Sequence, residues 1–273
     1  MKYVLLTPVL FLVFCKSKAQ PDTNSLAKYS YILGCTDVNG DIIRQKGNGT
    51  GFFIKEDNRV YLITNYHVLS GYDSEADSTM LTFTHLFFRL PKNNNGDLQD
   101  MLVDSMRDSI IEKKIKNNEC ADLVALDVSS FISNKKINEL SDFIDTSYFT
   151  QMPDSIIFYG YPSRIQTKES FLAKNPIIDK RDGAYKVVTP IIKTKSDEIF
   201  FDMFYKFHTP LKDILAEQGM SGSPVFGIYK EQDGDKIKFI GVIKGQPRGL
   251  NGAYLINAIE ILKAIKTPLK LSL

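Results

Sequence analysis

The stretch with the most chemical potential in this chain is a serine held in a turn of small residues. Gly219-Met220-Ser221-Gly222-Ser223-Pro224 sets Ser221 between glycines, directly ahead of the apolar pair Val225-Phe226. A serine hydroxyl is a poor nucleophile unless a base takes its proton and nearby donors hold the oxyanion that forms. A G-x-S-G turn can supply the donors, because glycine lets backbone N–H groups on either side of the serine face one point. The chain also holds a base and an acid in suggestive places. Leu62-Ile63-Thr64-Asn65-Tyr66-His67-Val68-Leu69 puts a histidine just beyond an apolar run, and Asp122-Leu123-Val124-Ala125-Leu126 opens another apolar run with an acid. His67, Asp122 and Ser221 occur in that order.

Each of these residues also has an ordinary structural role open to it. Ser221 suits a turn between strands, His67 suits a hydrogen-bonded strand end, and Asp122 suits a turn or cap. Ser223 competes with Ser221 as nucleophile, although the glycines placed around Ser221 favour Ser221. Asp127 competes with Asp122, but it lies inside its apolar run whereas Asp122 opens it. His85 and His208 belong to no motif and read as structural or surface residues.

The elements that must position these side chains are strands. Tyr29 to Asp37 alternates and ends in the turn signal Val38-Asn39-Gly40-Asp41. Phe52-Phe53-Ile54, the turn Glu56-Asp57-Asn58-Arg59 and Val60 to Thr64 form a hairpin that leads into His67. Met80 to Leu90 alternates, and Leu123 to Val128 reads as a buried strand. Residues 129–150 change character: Ser133-Asn134-Lys135-Lys136 is polar, and Ile137, Leu140 and Phe143 have helical spacing, so this stretch reads as a connector. Ser155 to Gly160, Tyr185 to Thr189 and Glu198 to Phe201 are further strand candidates. Pro224 to Tyr229 and Ile237 to Ile243 flank the hairpin signal Glu231-Gln232-Asp233-Gly234-Asp235. Ile259, Leu262 and Ile265 are spaced for a closing helix over Asn257 to Lys266. Many short strands between Gly, Asn, Asp and Pro turns predict an all-β sandwich or barrel architecture, and the connector makes two barrels plausible.

Composition narrows the partners. With 273 residues the chain is long enough for one large all-β domain or two smaller ones. Residues 1–19 have the pattern of a cleaved signal peptide: basic Lys2, the apolar run Tyr3 to Cys15, and the small-x-small sequence Ser17-Lys18-Ala19. The expected mature protein begins at about residue 20, is exported to a periplasmic or secreted location, and does not insert in the membrane. The chain carries 34 Lys+Arg against 32 Asp+Glu, and Lys2, Lys16 and Lys18 fall in the leader. The excess positive charge therefore belongs to the leader and argues for neither a nucleic-acid nor a membrane-surface partner. Glu112-Lys113-Lys114-Ile115-Lys116 reads as a solvated face. Cys35 and Cys120 remain after cleavage, free to bridge in an oxidising compartment or to stay as separate thiols. Three histidines without His-x-x-x-His or Cys-x-x-Cys spacing offer no recognisable metal site.

Taken together, the motifs resemble a trypsin-like serine peptidase of the chymotrypsin-fold superfamily, closest in style to the bacterial branch that includes the HtrA-type proteases. The resemblance is carried by Gly49-Thr50-Gly51-Phe52-Phe53-Ile54, the Thr64-Asn65-Tyr66-His67-Val68 stretch, Asp122 to Leu126, Gly160-Tyr161-Pro162, Gly219 to Pro224 and Ile240-Gly241-Val242. It implies two antiparallel six-stranded β-barrels with a C-terminal helix. The first barrel would span about 25–130, the connector about 131–150, the second barrel about 151–255 and the helix about 256–266. It implies that Ser221 attacks a peptide carbonyl, that His67 takes and returns the proton, and that Asp122 accepts a hydrogen bond from the other imidazole nitrogen. The N–H groups of Gly219 and Ser221 would form the oxyanion hole. Leu215 would lie near the base of the primary specificity pocket, which then favours a small or apolar side chain over Lys or Arg. The strand from Val242 through Lys244 to Gln246 would pair with the substrate backbone. Met220 stands where many digestive members carry an acid used in zymogen activation, so that mechanism is not implied. Nor is a peptide-binding PDZ module after the closing helix. The implied partner is a protein or peptide substrate, with no metal or organic cofactor. A catalytically idle, peptide-binding domain of the same fold is the alternative.

Overall fold

Two antiparallel sheets carry most of the described chain. The computed structural model describes residues 22–36, 49–73, 78–79, 85–89, 98–102, 108–117, 119–132, 135–161, 185–190, 204–208, 219–245 and 252–268. The first half supplies β1 (Tyr31–Thr36), β2 (Gly49–Glu56), β3 (Arg59–Thr64), β4 (Tyr72–Asp73), β5 (Ser78–Thr79), β6 (His85–Arg89), β7 (Leu98–Leu102) and β8 (Val124–Asp127). The second half supplies β9 (Ser155–Gly160), β10 (Tyr185–Pro190), β11 (Phe204–His208), β12 (Pro224–Glu231), β13 (Gly234–Gly245) and β14 (Gly252–Asn257). The sheet orders are β7-β6-β1-β2-β3-β8 and β10-β9-β12-β13-β14-β11, with β4 and β5 as a separate ribbon. The described part of the protein is therefore mostly β, with its strands paired antiparallel. Among the described residues no pairing joins the outer strands of either sheet.

The central strands β2, β9 and β12 bury both faces, and the alternation along them shows how. Phe52 and Ile54 on β2 face Ile157 and Tyr159 of β9, Phe226 of β12 and Phe239 of β13 in one core shared by the two halves. The intervening Phe53 instead joins Tyr31, Leu33, Leu62 and Leu126 in a core of the first half. Ile156, Phe158 and Val225 likewise join Ile240, Ile243 and Leu255 in a core of the second half. A strand with two buried faces reads as a continuous apolar run, which is why Phe52-Phe53-Ile54 and Ile156-Ile157-Phe158 lack polar breaks. Burying a side chain as large as Phe226 contributes roughly 2 to 3 kcal/mol.

The turns between strands follow local chemistry. Asp57 and Asn58 both adopt positive φ, 48° and 63°, in the two-residue β2–β3 turn, and these residue types tolerate that conformation. The closing helix runs Ala258–Lys266, and Asn257 caps it by accepting the Ile259 N–H at 2.9 Å. Ile261 and Ile265 of that helix seal the shared core.

Three expectations need correction. The Glu112 to Lys116 run is not a mere solvated face. It lies in a helix, Ser109–Lys116, capped by Asp108, and Ile115 is buried. The connector's Ile137, Leu140 and Phe143 do not form an α-helix. Two 3-10 turns, Ser141–Phe143 and Thr146–Tyr148, are present in the connector, and Leu140 packs into the shared core. The closing helix begins at Ala258, because the preceding residues belong to β14. The Glu198 to Phe201 candidate and residues 1–19 lie outside the described residues. Among the described residues, no helix is long and apolar enough to cross a membrane.

Candidate active site

The site is assembled by the ends of strands. β3 stops at Thr64, and the chain turns into the short helix Tyr66–Ser70, so His67 sits in its first turn. Gly71 ends that helix in the left-handed conformation, φ 67°, with its N–H donating to the His67 carbonyl. Asp122 lies just before β8, and β8 pairs with β3 in the register Thr64↔Val124. This pairing is what brings the acid beside the histidine.

The contact between them is tight. The Asp122 carboxylate accepts the His67 Nδ1 hydrogen at 2.6 Å through Oδ2 and the His67 backbone N–H at 3.0 Å through Oδ1. Asn65 Nδ2 donates to the Asp122 carbonyl at 2.9 Å. Asp122 is only 4 % exposed, whereas the His67 side chain is 31 % exposed. Burial pushes the Asp122 carboxyl up, but the His67 charge, the hydrogen bonds from His67 and the charge of Lys244 outweigh it. The carboxyl lies below its usual range. A carboxylate that receives Nδ1–H fixes the neutral imidazole tautomer and leaves Nε2 as a lone-pair acceptor.

The serine turn arrives from the second half. Gly219 and Gly222 adopt φ of 93° and 87°, which other residues rarely adopt. The turn is closed by the Ser223 N–H donating to the Met220 carbonyl at 3.0 Å. Ser223 Oγ donates to the same carbonyl at 2.6 Å. Because the Met220–Ser221 peptide is trans and planar, a Met220 carbonyl held on one side aims the Ser221 N–H to the other. Among the described residues, no protein acceptor is paired with the N–H of Gly219 or Ser221.

Ser221 is partly exposed, and its hydroxyl donates to the Lys244 carbonyl at 3.0 Å. That carbonyl lies at a register shift. β13 and β14 pair Ile243↔Leu255 and Gly245↔Tyr254, so Lys244 is the unmatched residue of a bulge.

The rivals fall away on geometry. Ser223 is fully buried and committed to Met220. Asp127 accepts the Ser129 N–H and hydroxyl and pairs with Arg59 at 3.5 Å. Cys120 is a free thiol, and burial raises its pKa. His85 and His208 lie on β6 and β11. Among the described residues no group of three His, Cys, Asp or Glu side chains could hold a metal ion.

The residues expected to touch substrate are less well grouped. Leu215 and Gln246 lie outside the described residues. Val242 is fully buried and paired on both sides, to Pro224 of β12 and to Ile256 of β14. Its backbone is spent within the sheet, so it is a core position rather than a place for a substrate strand to add. Lys244 is near the site through its carbonyl. Sequence reasoning missed Asn65, which holds the Asp122 segment, and Thr50, whose N–H donates to the Ser221 carbonyl at 2.8 Å. The only signals for them were their places in the T-N-x-H and G-T-G stretches. No protein-family model matches the chain, and comparison with curated proteins finds no match.

Proposed function

We propose that this chain is an exported serine endopeptidase of the trypsin-like type, hydrolysing peptide bonds through Ser221, His67 and Asp122. The observation that carries the proposal is the doubly bonded His67–Asp122 pair, which leaves Nε2 as the imidazole's free lone pair. In this reading Nε2 takes the Ser221 proton as Oγ attacks the carbonyl carbon. The unpaired N–H groups of Gly219 and Ser221 receive the developing oxyanion. His67 then protonates the leaving amine, and water hydrolyses the acyl-enzyme by the same route. Losing one oxyanion donor would cost roughly 3 kcal/mol of transition-state stabilisation. The separate core on one face of each sheet suits two six-stranded barrels of the chymotrypsin-like kind, with the triad where they meet. Export follows from the signal-like residues 1–19, and the expected partner is a protein or peptide.

One observation favours the alternative, a catalytically idle peptide-binding domain: the Ser221 hydroxyl is bonded to Lys244 and not to His67. Triad hydrogen bonds commonly tighten only when substrate binds, so this arrangement fits a resting enzyme as well. Labelling with a fluorophosphonate probe separates the two. The parent protein is expected to react and Ser221→Ala to stay unlabelled. A folded parent that does not react while a control protease does would leave the idle domain as the better reading.

A further inference from the structure

Thr50 of β2 lies fully buried and far along the chain from the serine turn, yet it makes two hydrogen bonds to that turn. Its N–H donates to the Ser221 carbonyl at 2.8 Å, and its hydroxyl donates to the Gly219 carbonyl at 3.0 Å. The same hydroxyl accepts the Tyr161 N–H at 3.1 Å. The Thr50 carbonyl accepts the Thr64 hydroxyl at 2.7 Å. Every polar group of Thr50 is thus engaged, and two of its bonds end on the carbonyls on either side of Met220.

The fit leaves no slack. A Cβ added at Gly222 would lie 1.9 Å from the Thr50 carbonyl oxygen and 2.4 Å from Thr64 Oγ1, so the turn backbone rests directly on the two threonines. Gly219 is a residue whose adjoining peptide units rotate with little steric resistance. With its carbonyl tied to Thr50, the Gly219–Met220 peptide is held, and it is the link between the two peptide units that carry the Gly219 and Ser221 N–H groups. Thr64 lies three residues before His67 on the strand that delivers the histidine. The strand that carries Thr50 is itself paired with that strand, so the Thr50 hydroxyl joins the serine turn to the His67 segment without the Thr64 hydroxyl, which bonds Thr50 alone.

We propose that Thr50 is a positioning residue: its hydroxyl holds the serine turn in register with the His67 segment and keeps the oxyanion donors aimed. This rests on Ser221 being the nucleophile. The alternative is that Thr50 merely satisfies a buried contact between halves, in which case its loss lowers stability without loosening the turn specifically.

Thr50→Val removes the hydroxyl at constant shape, Thr50→Ser keeps it, and Thr64→Val deletes a neighbouring buried hydroxyl that makes no bond to the turn. Two readouts are taken on the full chain. One is the second-order rate of phosphonylation by a fluorophosphonate probe, and the other is hydrogen–deuterium exchange in peptides covering residues 219–223. Thr50→Val is expected to react about 10- to 100-fold more slowly. Its turn is expected to exchange about tenfold faster. Thr50→Ser and Thr64→Val are expected to stay within about threefold of the parent in both. Parent-like behaviour of Thr50→Val overturns the proposal, and so does Thr64→Val matching its losses. If Thr50→Val fails to fold, Thr50→Cys serves instead: its weakly donating thiol is expected to give the same two losses in smaller degree, and parent-like values overturn the proposal. A parent that does not react with the probe defeats the peptidase reading, while the exchange data still decide the role of Thr50.

Discussion

Ser221 donates its one hydroxyl hydrogen to the carbonyl of Lys244, 3.0 Å away, so that hydrogen is not shared with His67. Lys244 occupies a bulge in β13, where the ladder to β14 skips a residue. His67, meanwhile, is already clamped to Asp122. The imidazole is thus held in place, whereas the Ser221 hydroxyl must leave the Lys244 carbonyl before it can serve as the proposed nucleophile.

Asp122→Asn tests the clamp. An asparagine at this position can still accept the His67 backbone N–H. If its carbonyl oxygen is used there, its NH2 faces Nδ1 and selects the tautomer that places the imidazole hydrogen on Nε2. Nε2 then cannot accept the serine proton. If His67 is the base, phosphonylation is expected to fall roughly ten-thousandfold, while circular dichroism stays that of the parent. A loss under about tenfold would count against His67 as the base.

The same pair predicts a pH-dependent stability. The folded Asp122 carboxyl lies below its usual range, so the folded state favours the ionised form. Its contribution is fully present above the unfolded value of about 3.9 and is lost as pH falls through the lower folded value. Urea unfolding of the parent and of Asp122→Asn from pH 5 downward is expected to show a gap that holds until about pH 4 and then narrows. A gap that widens with acid would reverse the sign and refute the assignment.

Gly222 and Gly234 separate backbone strain from lack of space. Gly222 has φ 87° and no room for a Cβ, while Gly234, in the β12–β13 hairpin, has φ 116° with nothing within 4 Å of an added Cβ. Gly234→Ala is expected to cost about 1 to 2 kcal/mol in urea unfolding, from backbone strain alone. Gly222→Ala must also displace the Thr50 carbonyl and is expected to exceed about 3 kcal/mol and to abolish labelling. Equal costs for the two would show that the serine turn does not rest on Thr50 as described.

How much of this was legible in the sequence depends on the range of each interaction. The pairing of His67 with Asp122 was readable because each is a particular residue type beside a strand end. The β2–β3 hairpin was readable because its turn residues and apolar runs are adjacent. Thr50 was not, because its partners Tyr161 and Gly219 lie far along the chain and a buried hydroxyl has no local pattern. Val242 was misjudged for a related reason: an apolar strand residue looks the same at an edge as in the middle, and only the pairing to both β12 and β14 tells them apart. The helix Ser109–Lys116 was hidden because four of its eight residues are charged, which masks the i,i+4 pair Ile111 and Ile115.

Gly160 and Ser223 make the sharpest test of how the turn is aimed. A Cβ on Gly160, at the end of β9, would lie 2.3 Å from Ser223 Oγ and 3.1 Å from Met220 Cβ. The hydroxyl cannot simply move aside, because it is bonded to the Met220 carbonyl in a fully buried position. Gly160→Ala should therefore expel it, leaving the carbonyl with the Ser223 N–H alone and the hydroxyl without a partner. That costs about 1 to 3 kcal/mol. Ser223→Gly alone loses one hydrogen bond, or about 1 kcal/mol. In the double variant the glycine at 223 makes room for the alanine at 160, so the costs should fall short of their sum by about 1 kcal/mol. Since the Met220 carbonyl sets the direction of the Ser221 N–H across a planar peptide, Gly160→Ala should also slow phosphonylation. The double variant should recover part of that rate, because removing the crowding lets the carbonyl return to its place. Additive costs within about 0.3 kcal/mol, with no recovery of rate, would mean that Ser223 plays no part in aiming the donor.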